Sequence, residues 1–293
     1  MVALQWMAAD KDMKMKREFH SMLQLHAANP IIVPKPHAGG VIQLNSMESQ
    51  LNGITREKKE RERSQDERKG AATTNCLFTN GDPSFVSYII FDFIHAADQP
   101  PDPASFCANL ARIHSNGPLS GSFGFCGLVP ISQSISIPTA PSSDRDWPRF
   151  FLSLVLSLFQ QDLELNGRWP VYEQAFDNVV HRLIPRLLGC LQSDGIRPSL
   201  VHGNLSDGNI AVDAATGMPV IFSACAMYAH HEYELGMSRV SACGLDEAYL
   251  DTYVRYVKPS HPRGEFRDRV MLYGIKFNLD SSVSGRNPVA RER

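Results

Sequence analysis

Between Tyr172 and Leu191 the chain places Phe176, Val179, Val180, Leu183, Ile184, Leu187, Leu188 and Leu191 at i, i+3 and i+4 spacing. That is the period of an α-helix, and so wide an apolar stripe has to be buried against a second layer. Pro185 inside the pattern predicts a kink, because proline lacks a backbone donor and crowds the preceding turn. The same period returns in ASFCANLARIHS, with Phe106, Leu110 and Ile113 on one face, in Trp147–Leu165, and near Glu247–Val257. The part of the chain after Pro103 is therefore expected to be mostly helical, with these stripes, Trp147 and Trp169 in its core.

The first part reads differently. Lys14–Ala27 is a short amphipathic helix carrying Met15, Phe19, Met22 and Leu23, and it ends before Asn29-Pro30. The Pro- and Gly-punctuated IIVPKPHAGGVIQL opens into a strand, and FVSYIIFDF (Phe85–Phe93) is an aromatic, β-branched strand. Between them runs REKKERERSQDERK (Arg56–Lys69), mixed in sign and without an apolar face. A segment with nothing to bury stays solvated, so residues 43–82 are expected to form a charged, disordered insertion. The last residues, SSVSGRNPVARER, have the composition of a frayed tail, giving expected boundaries of 1–93, 94–280 and 281–293.

Net charge is −2 with 20% charged residues, which gives neither nucleic acid nor an anionic membrane a basic surface to bind. The six cysteines lack CxxC spacing, as befits reduced thiols rather than a disulfide framework or a zinc site. The apolar run FFLSLVLSLF is far below the roughly 20 residues that cross a bilayer, and charges occur by residue 10 at the N-terminus. A soluble, cytoplasmic protein is the expectation.

The chemistry concentrates in SLVHGNLSDGN (Ser199–Asn209) and the PVIFSACAMY that follows. Short apolar runs at Ile210–Val212 and Val220–Phe222 flank a polar turn closed by Gly217, a hairpin signal. Such a hairpin brings Asn204, Asn209 and Ser223 toward one end although Ser223 is 19 positions beyond Asn204.

With its flanks, SLVHGNLSDGNIAVDAATGMPVIFSACAMYAHHEYELGMSR resembles the fructosamine kinase (ketosamine 3-kinase) family of aminoglycoside-phosphotransferase-like kinases, whose pattern runs approximately HGDLWxGN, a hairpin, then VFDxAxxYxHxEYELG. The likeness extends to REFHSMLQLHAANPIIVPKPHAGG, GSFGFCG, NGRWP and IPRLL, covering most of residues 14–280. It implies an α+β, protein-kinase-like two-lobed fold with a truncated N-lobe and a mainly helical C-lobe. It also implies ATP-dependent phosphorylation, with Mg²⁺, of the sugar 3-hydroxyl of ketosamine adducts on protein lysines or small ketosamines. By the same resemblance Glu18 pairs with an ATP-positioning lysine, Phe91, Asp92 and Phe93 hold adenine, and Asn209 binds magnesium, while His202 and Gly203 keep the entry to the loop. Asn204 then stands at the catalytic aspartate and Ser223 at the magnesium aspartate. Only ALQWMAAD precedes the Glu18 helix, so the glycine loop is expected to be missing, and Gln5 is the nearest place for the lysine.

These substitutions bear on the reaction. Asparagine accepts a hydrogen bond but takes no proton, and a general base contributes typically about 10²–10⁴-fold. Magnesium usually relies on one or two carboxylates, and neither Ser223 nor Asn209 supplies charge. Asp207, three residues past Asn204, is expected to be an exposed turn-former rather than a substitute base. His202 braces the loop, His230, His231, Glu232 and Glu234 make helix-start contacts rather than a metal cluster, and Cys225 and Cys243 are small buried hydrophobes. Two functions remain open: an impaired ketosamine kinase, or an inactive pseudokinase that binds sugar adducts, nucleotide or a protein partner.

Overall fold

A computed structural model describes residues 2–8, 12–43, 85–126, 145–193, 196–240 and 244–285. The chain divides into two units, Met1–Phe19 with Pro36–Phe93, and His20–Lys35 with Ile94–Arg293. Most of the expected charged insertion, from residue 44 to 84, lies outside the described residues.

The first unit is an antiparallel sheet of β1 (Val2–Ala8), β2 (Pro36–Gln43) and β3 (Phe85–Asp92), in the order β1-β3-β2, with the first half of α1 (Asp12–Ala28). Central β3 buries Val86, Ile89 and Phe91. Phe19 of α1 lies 3.2 Å from where a Cβ on Gly39 would sit. Strand β1 was not expected. VALQWMA mixes apolar and polar residues too weakly to announce a strand, and pairing with β3 along its whole length, from Val2↔Asp92 to Ala8↔Val86, makes it one.

The second unit is mainly helical. Both α2 (Pro103–His114) and α3 (Trp147–Asn166) start on an aspartate cap with proline in the first turn: Asp102 accepts from Ser105 N at 2.8 Å, and Asp146 from Arg149 N at 3.0 Å. The long stripe after Tyr172 is broken into α4 (Pro170–Asn178), a π-turn (Val179–Leu183) and α5 (Ile184–Ser193). Pro185 has no N–H, and the Ile184 N–H reaches back to Val179 O, one residue further than in an α-helix. The extra residue rotates the stripe. Ile184, Leu187, Leu188 and Leu191 are buried, whereas Leu183 is exposed and Val179 and Val180 are only half-buried. Trp169 corrects its expectation too: it is 39% exposed, while Trp147 is fully buried among Phe123, Phe150, Phe151, Tyr233 and Tyr273.

Three further pieces carry the site. Strands β5 (Gly124–Phe125), β6 (Ser199–Val201) and β9 (Met227–Ala229) form a small sheet in the order β5-β9-β6. The hairpin β7 (Ile210–Asp213) and β8 (Pro219–Ile221) pairs with β4 (Ala96–Ala97). A 3₁₀ segment, His231–Arg239, packs on α7 (Phe266–Val283), and α6 (Glu247–Tyr256) packs on α2. Gly236 makes the first of these contacts possible, since a Cβ there would meet the Tyr273 backbone carbon at 2.6 Å. Helix α7, which no periodicity announced, takes in the start of the expected tail; positions beyond 285 are outside the described residues. Among the described residues no helix is long and apolar enough to cross a membrane.

Candidate active site

The hairpin does bring His202, Asn204, Asn209 and Ser223 together. The backbone turns sharply at Gly203, φ 75°, where a Cβ would come within 2.2 Å of the Cys225 carbonyl oxygen, so only glycine fits. Cys225 N donates to His202 O at 3.0 Å and Phe222 N to Asn209 O at 3.1 Å, lacing the loop to the strand that follows the hairpin. His202 is fully buried. Its Nε2 lies 3.0 Å from Phe222 O, and because a carbonyl can only accept, that nitrogen carries the proton. Nδ1 is left to accept the Asn204 N–H at 3.3 Å. Burial pushes the imidazole pKa down, against the pull of Glu234 and the Phe222 carbonyl, so the ring is neutral with both nitrogens engaged. With both ring nitrogens engaged, His202 has no lone pair to spare as a base.

Asn204 Nδ2 donates to the Ser223 carbonyl at 2.9 Å, and Asn209 Nδ2 donates to the Asn204 carbonyl at 2.7 Å. The two positions that resemble catalytic and magnesium aspartates are thus joined by a direct, neutral hydrogen bond. Ser223 sits at φ 58°, a left-handed conformation that asparagine and aspartate adopt more readily than serine. The remaining side-chain oxygens of these three residues, Asn204 Oδ1, Asn209 Oδ1 and the Ser223 hydroxyl, are uncharged. That donor set does not fit a magnesium ion, which takes one or two carboxylates besides phosphate oxygens. Asp207 is exposed, and its carboxylate accepts the Gly244 N–H rather than a partner in the Asn204 loop.

Glu234 corrects its expectation of a helix-start contact. Glu234, wholly buried, accepts the backbone N–H groups of both His202 and Gly203, the latter at 3.0 Å. Burial alone would raise this carboxyl. His114, whose Nε2 is 3.8 Å away, together with His202 and the backbone donors, holds it below the ordinary range. Tyr253 orients His114 by a 2.6 Å contact between its hydroxyl and Nδ1, and touches His231 Nδ1 at 3.1 Å. The available signal was EYELG itself, an acidic residue amid apolar ones.

The His230–His231–Glu232 cluster brings three ligand-type atoms within 4.8 Å of one another, but its groups are already committed. His230 contacts Tyr273 Oη and Ser260 Oγ, both at 2.8 Å, and Glu232 pairs with buried Arg269 through two bonds of 2.6 and 2.9 Å. Burial, with Arg269 and His114, pushes His230 down to about 3. The expected helix-start contacts are instead contacts with side chains of other segments. Cys225 is half-buried rather than buried, and Cys243 lies outside the described residues.

A family model described as fructosamine kinase matches residues 4–283. The chain belongs to the fructosamine kinase family. It is 29% identical to the chloroplastic protein-ribulosamine 3-kinase of Arabidopsis thaliana over 196 residues, 65% of this chain and 56% of that one. With a protein described as a ketoamine kinase in Enterococcus faecium it shares 27% identity, over 68% of this chain and 66% of that one. The chain spans a little over half the length of the plant relatives it matches. A solved structure described as a fructosamine-3-kinase, from Thermobifida fusca, superposes with a TM-score of 0.61 at 17% identity, covering 97% of this chain and 81% of that one. An aminoglycoside phosphotransferase gives 0.54 at 15% identity over 99% of this chain and 83% of that one. The α+β, protein-kinase-like class is that of these fructosamine kinase and phosphotransferase neighbours.

The residues that the sequence resemblance relates to nucleotide binding fall in the first unit. Gln5 of β1 donates through Nε2 to Glu18 Oε2 at 3.3 Å, so a carboxamide faces the α1 glutamate. Glu18 is buried. Phe91 is buried in the sheet, Asp92 meets His37 Nε2 at 2.7 Å, and Phe93, 39% exposed, is the last residue of the unit.

Proposed function

We propose that this chain is a fructosamine kinase that keeps the family's binding frame and has lost efficient phosphoryl transfer. The reaction assigned by name to its relatives is phosphorylation of ribulosamine or ketosamine adducts, here on the sugar 3-hydroxyl of modified protein lysines or small ketosamines. Transfer requires the hydroxyl proton to leave as the oxygen attacks the γ-phosphorus and ADP departs. Asn204 orients a hydroxyl through its carbonyl oxygen but takes no proton. One observation carries the reading: the Asn204 amide is spent on Ser223 O at 2.9 Å, at the two positions where the family has carboxylates. Gln5 in place of a lysine adds a third loss on the same step, for it offers the β- and γ-phosphates no charge. The limiting case is a pseudokinase that binds sugar adducts or nucleotide without turnover.

ATP and Mg²⁺ are the family's cofactors, and an aminoglycoside phosphotransferase neighbour was solved with ADP and hygromycin B. In this chain nucleotide binding is expected to be weak and independent of magnesium. Calorimetry of ATP with and without magnesium tests the binding, and phosphorylation of a ribulosamine-modified lysine peptide tests the transfer. Turnover near one per second, within the ordinary range of about 1–10³ s⁻¹, would sink the proposal.

A further inference from the structure

A pocket of about 250 Å³ opens in the second unit, on the side of the β5-β9-β6 sheet where the second half of α1 lies. Gln24 of α1, Ser120 and Ser122 of the turn before β5, Phe123 and Phe125, and Tyr228 of β9 supply its side chains. None of residues 202–209 lines it. The Gly203 turn abuts the Cys225 carbonyl, three positions before Tyr228 on the same strand segment.

The wall has a definite chemistry. Ser122 is only 6% exposed; its N–H is taken by Ser120 Oγ at 3.3 Å, and its own hydroxyl makes no hydrogen bond among the described residues. The Tyr228 hydroxyl is likewise without a hydrogen bond among them, and burial pushes its pKa up, so it stays protonated and able to donate. Cys126, also in the wall, has its thiol pushed by burial up to about 12 and is neutral too. Among the described residues no charged side chain lines the pocket. Hydroxyls that line a pocket without a protein partner suit an occupant that donates and accepts hydrogen bonds. A charged occupant would be desolvated with nothing to pair it. The volume is below the roughly 300–1,000 Å³ usual for drug-sized ligands, which fits one small ring and excludes a nucleotide.

We infer that this pocket is a binding site for a neutral polyol of monosaccharide size, separate from the Asn204 loop. It stands whether or not that loop retains turnover.

The test maps ¹H–¹⁵N shift changes on the full chain with D-fructose, D-ribose and myo-inositol as ligands, D-fructose 6-phosphate as the charged control, and a fructosamine-bearing peptide to separate free from protein-linked sugar. The expected result is saturable shifts at Gln24, Ser122, Phe123 and Tyr228. Ser122→Ala combined with Tyr228→Phe, both mild truncations, weakens binding at least about tenfold, Asn204→Ser leaves it unchanged, and the phosphate ester binds at least about tenfold more weakly than fructose. Shifts confined to residues 202–209, an unchanged affinity in the double variant, or no response to any polyol at millimolar concentration would each overturn the inference. Polyol shifts at the pocket with no response of the loop to the fructosamine peptide would count against the proposed function and leave the pocket standing.

Discussion

Replacing Asn204 with aspartate, the residue that the sequence resemblance puts there, removes a bond the fold now uses. The Asn204 amide donates to Ser223 O at 2.9 Å. A carboxylate has no proton to give, so the change sets an anionic acceptor against a carbonyl acceptor. The lost hydrogen bond is worth about 0.5–1.5 kcal/mol, and leaving a partly buried acceptor unpaired costs about 1–3 kcal/mol. Asn204 is half-buried, so water recovers part of this and about 2 kcal/mol is the expected net loss at pH 7. For a unit of this size each kcal/mol moves the unfolding midpoint by about 2–4 °C, so Asn204→Asp lowers it by about 4–8 °C in chelator. Added magnesium then raises the variant's midpoint, because a carboxylate beside Asn209 Oδ1 gives the ion a charged ligand, while the wild-type midpoint stays put. Differential scanning calorimetry across a magnesium series reads both effects. A variant as stable as wild type without metal would show that the 2.9 Å bond carries nothing. A wild-type midpoint rising equally with magnesium would show that neutral donors already suffice.

Glu234→Gln keeps the size of the side chain but turns one of its acceptors into a donor facing a backbone N–H; hydrogen exchange at His202 and Gly203 is expected to accelerate at least about tenfold with α7 unaffected, and uniform acceleration across both would reduce Glu234 to a general core residue. The pH dependence of stability follows from His202, His230 and His231, all held below their unfolded pKa near 6.5 by burial. Each is neutral in the fold and takes a proton on unfolding, so stability falls as pH drops below about 6.5, with His230 contributing until about pH 3 at up to ~1.4 kcal/mol per pH unit. Glu234, held low, adds stability above its unfolded pKa that is lost as pH falls through its folded value. Denaturant midpoints from pH 7 to 4 test this, and His230→Gln should flatten the slope by one proton's worth; an unchanged slope refutes the assignment.

What the sequence disclosed and what it hid follow from range. The helices that bury a stripe, α2, α3 and α6, were legible because periodicity is local, and so was the hairpin around Gly217. The π-turn at Val179–Leu183 was legible only as a kink, because Pro185 announces a missing donor but not how the preceding turn absorbs it. Strand β1 owes its form to pairing with β3, more than 70 positions away, and α7 buries residues nearly all round, so neither left a periodic trace. Asn204, Asn209 and Ser223 were brought together by the hairpin signal, whereas the Glu234 contacts needed coordinates, because no spacing rule links position 234 to the amides of 202 and 203.

The loop's frame and the loop's chemistry rest on different atoms. Gly203 is fixed by the Cys225 carbonyl, the loop ends by backbone bonds at His202–Cys225 and Asn209–Phe222, and the turn by Glu234 from below. None of these uses a side chain at position 204 or 223. An aspartate lost from either place therefore leaves the fold intact, and at 204 the amide gains a bond to Ser223 O that a carboxylate cannot make. Ser223 shows the other half of this. It holds a left-handed conformation at φ 58° with no glycine, asparagine or aspartate to ease it, at a cost of roughly 1–2 kcal/mol that the surrounding hydrogen bonds sustain. Aspartate at 223 would suit the backbone, while aspartate at 204 opposes it until a cation arrives. Ser223→Asp is therefore expected to be tolerated without a cation, and Asn204→Asp to be destabilising without one, a contrast that unfolding midpoints of the two variants in chelator read directly.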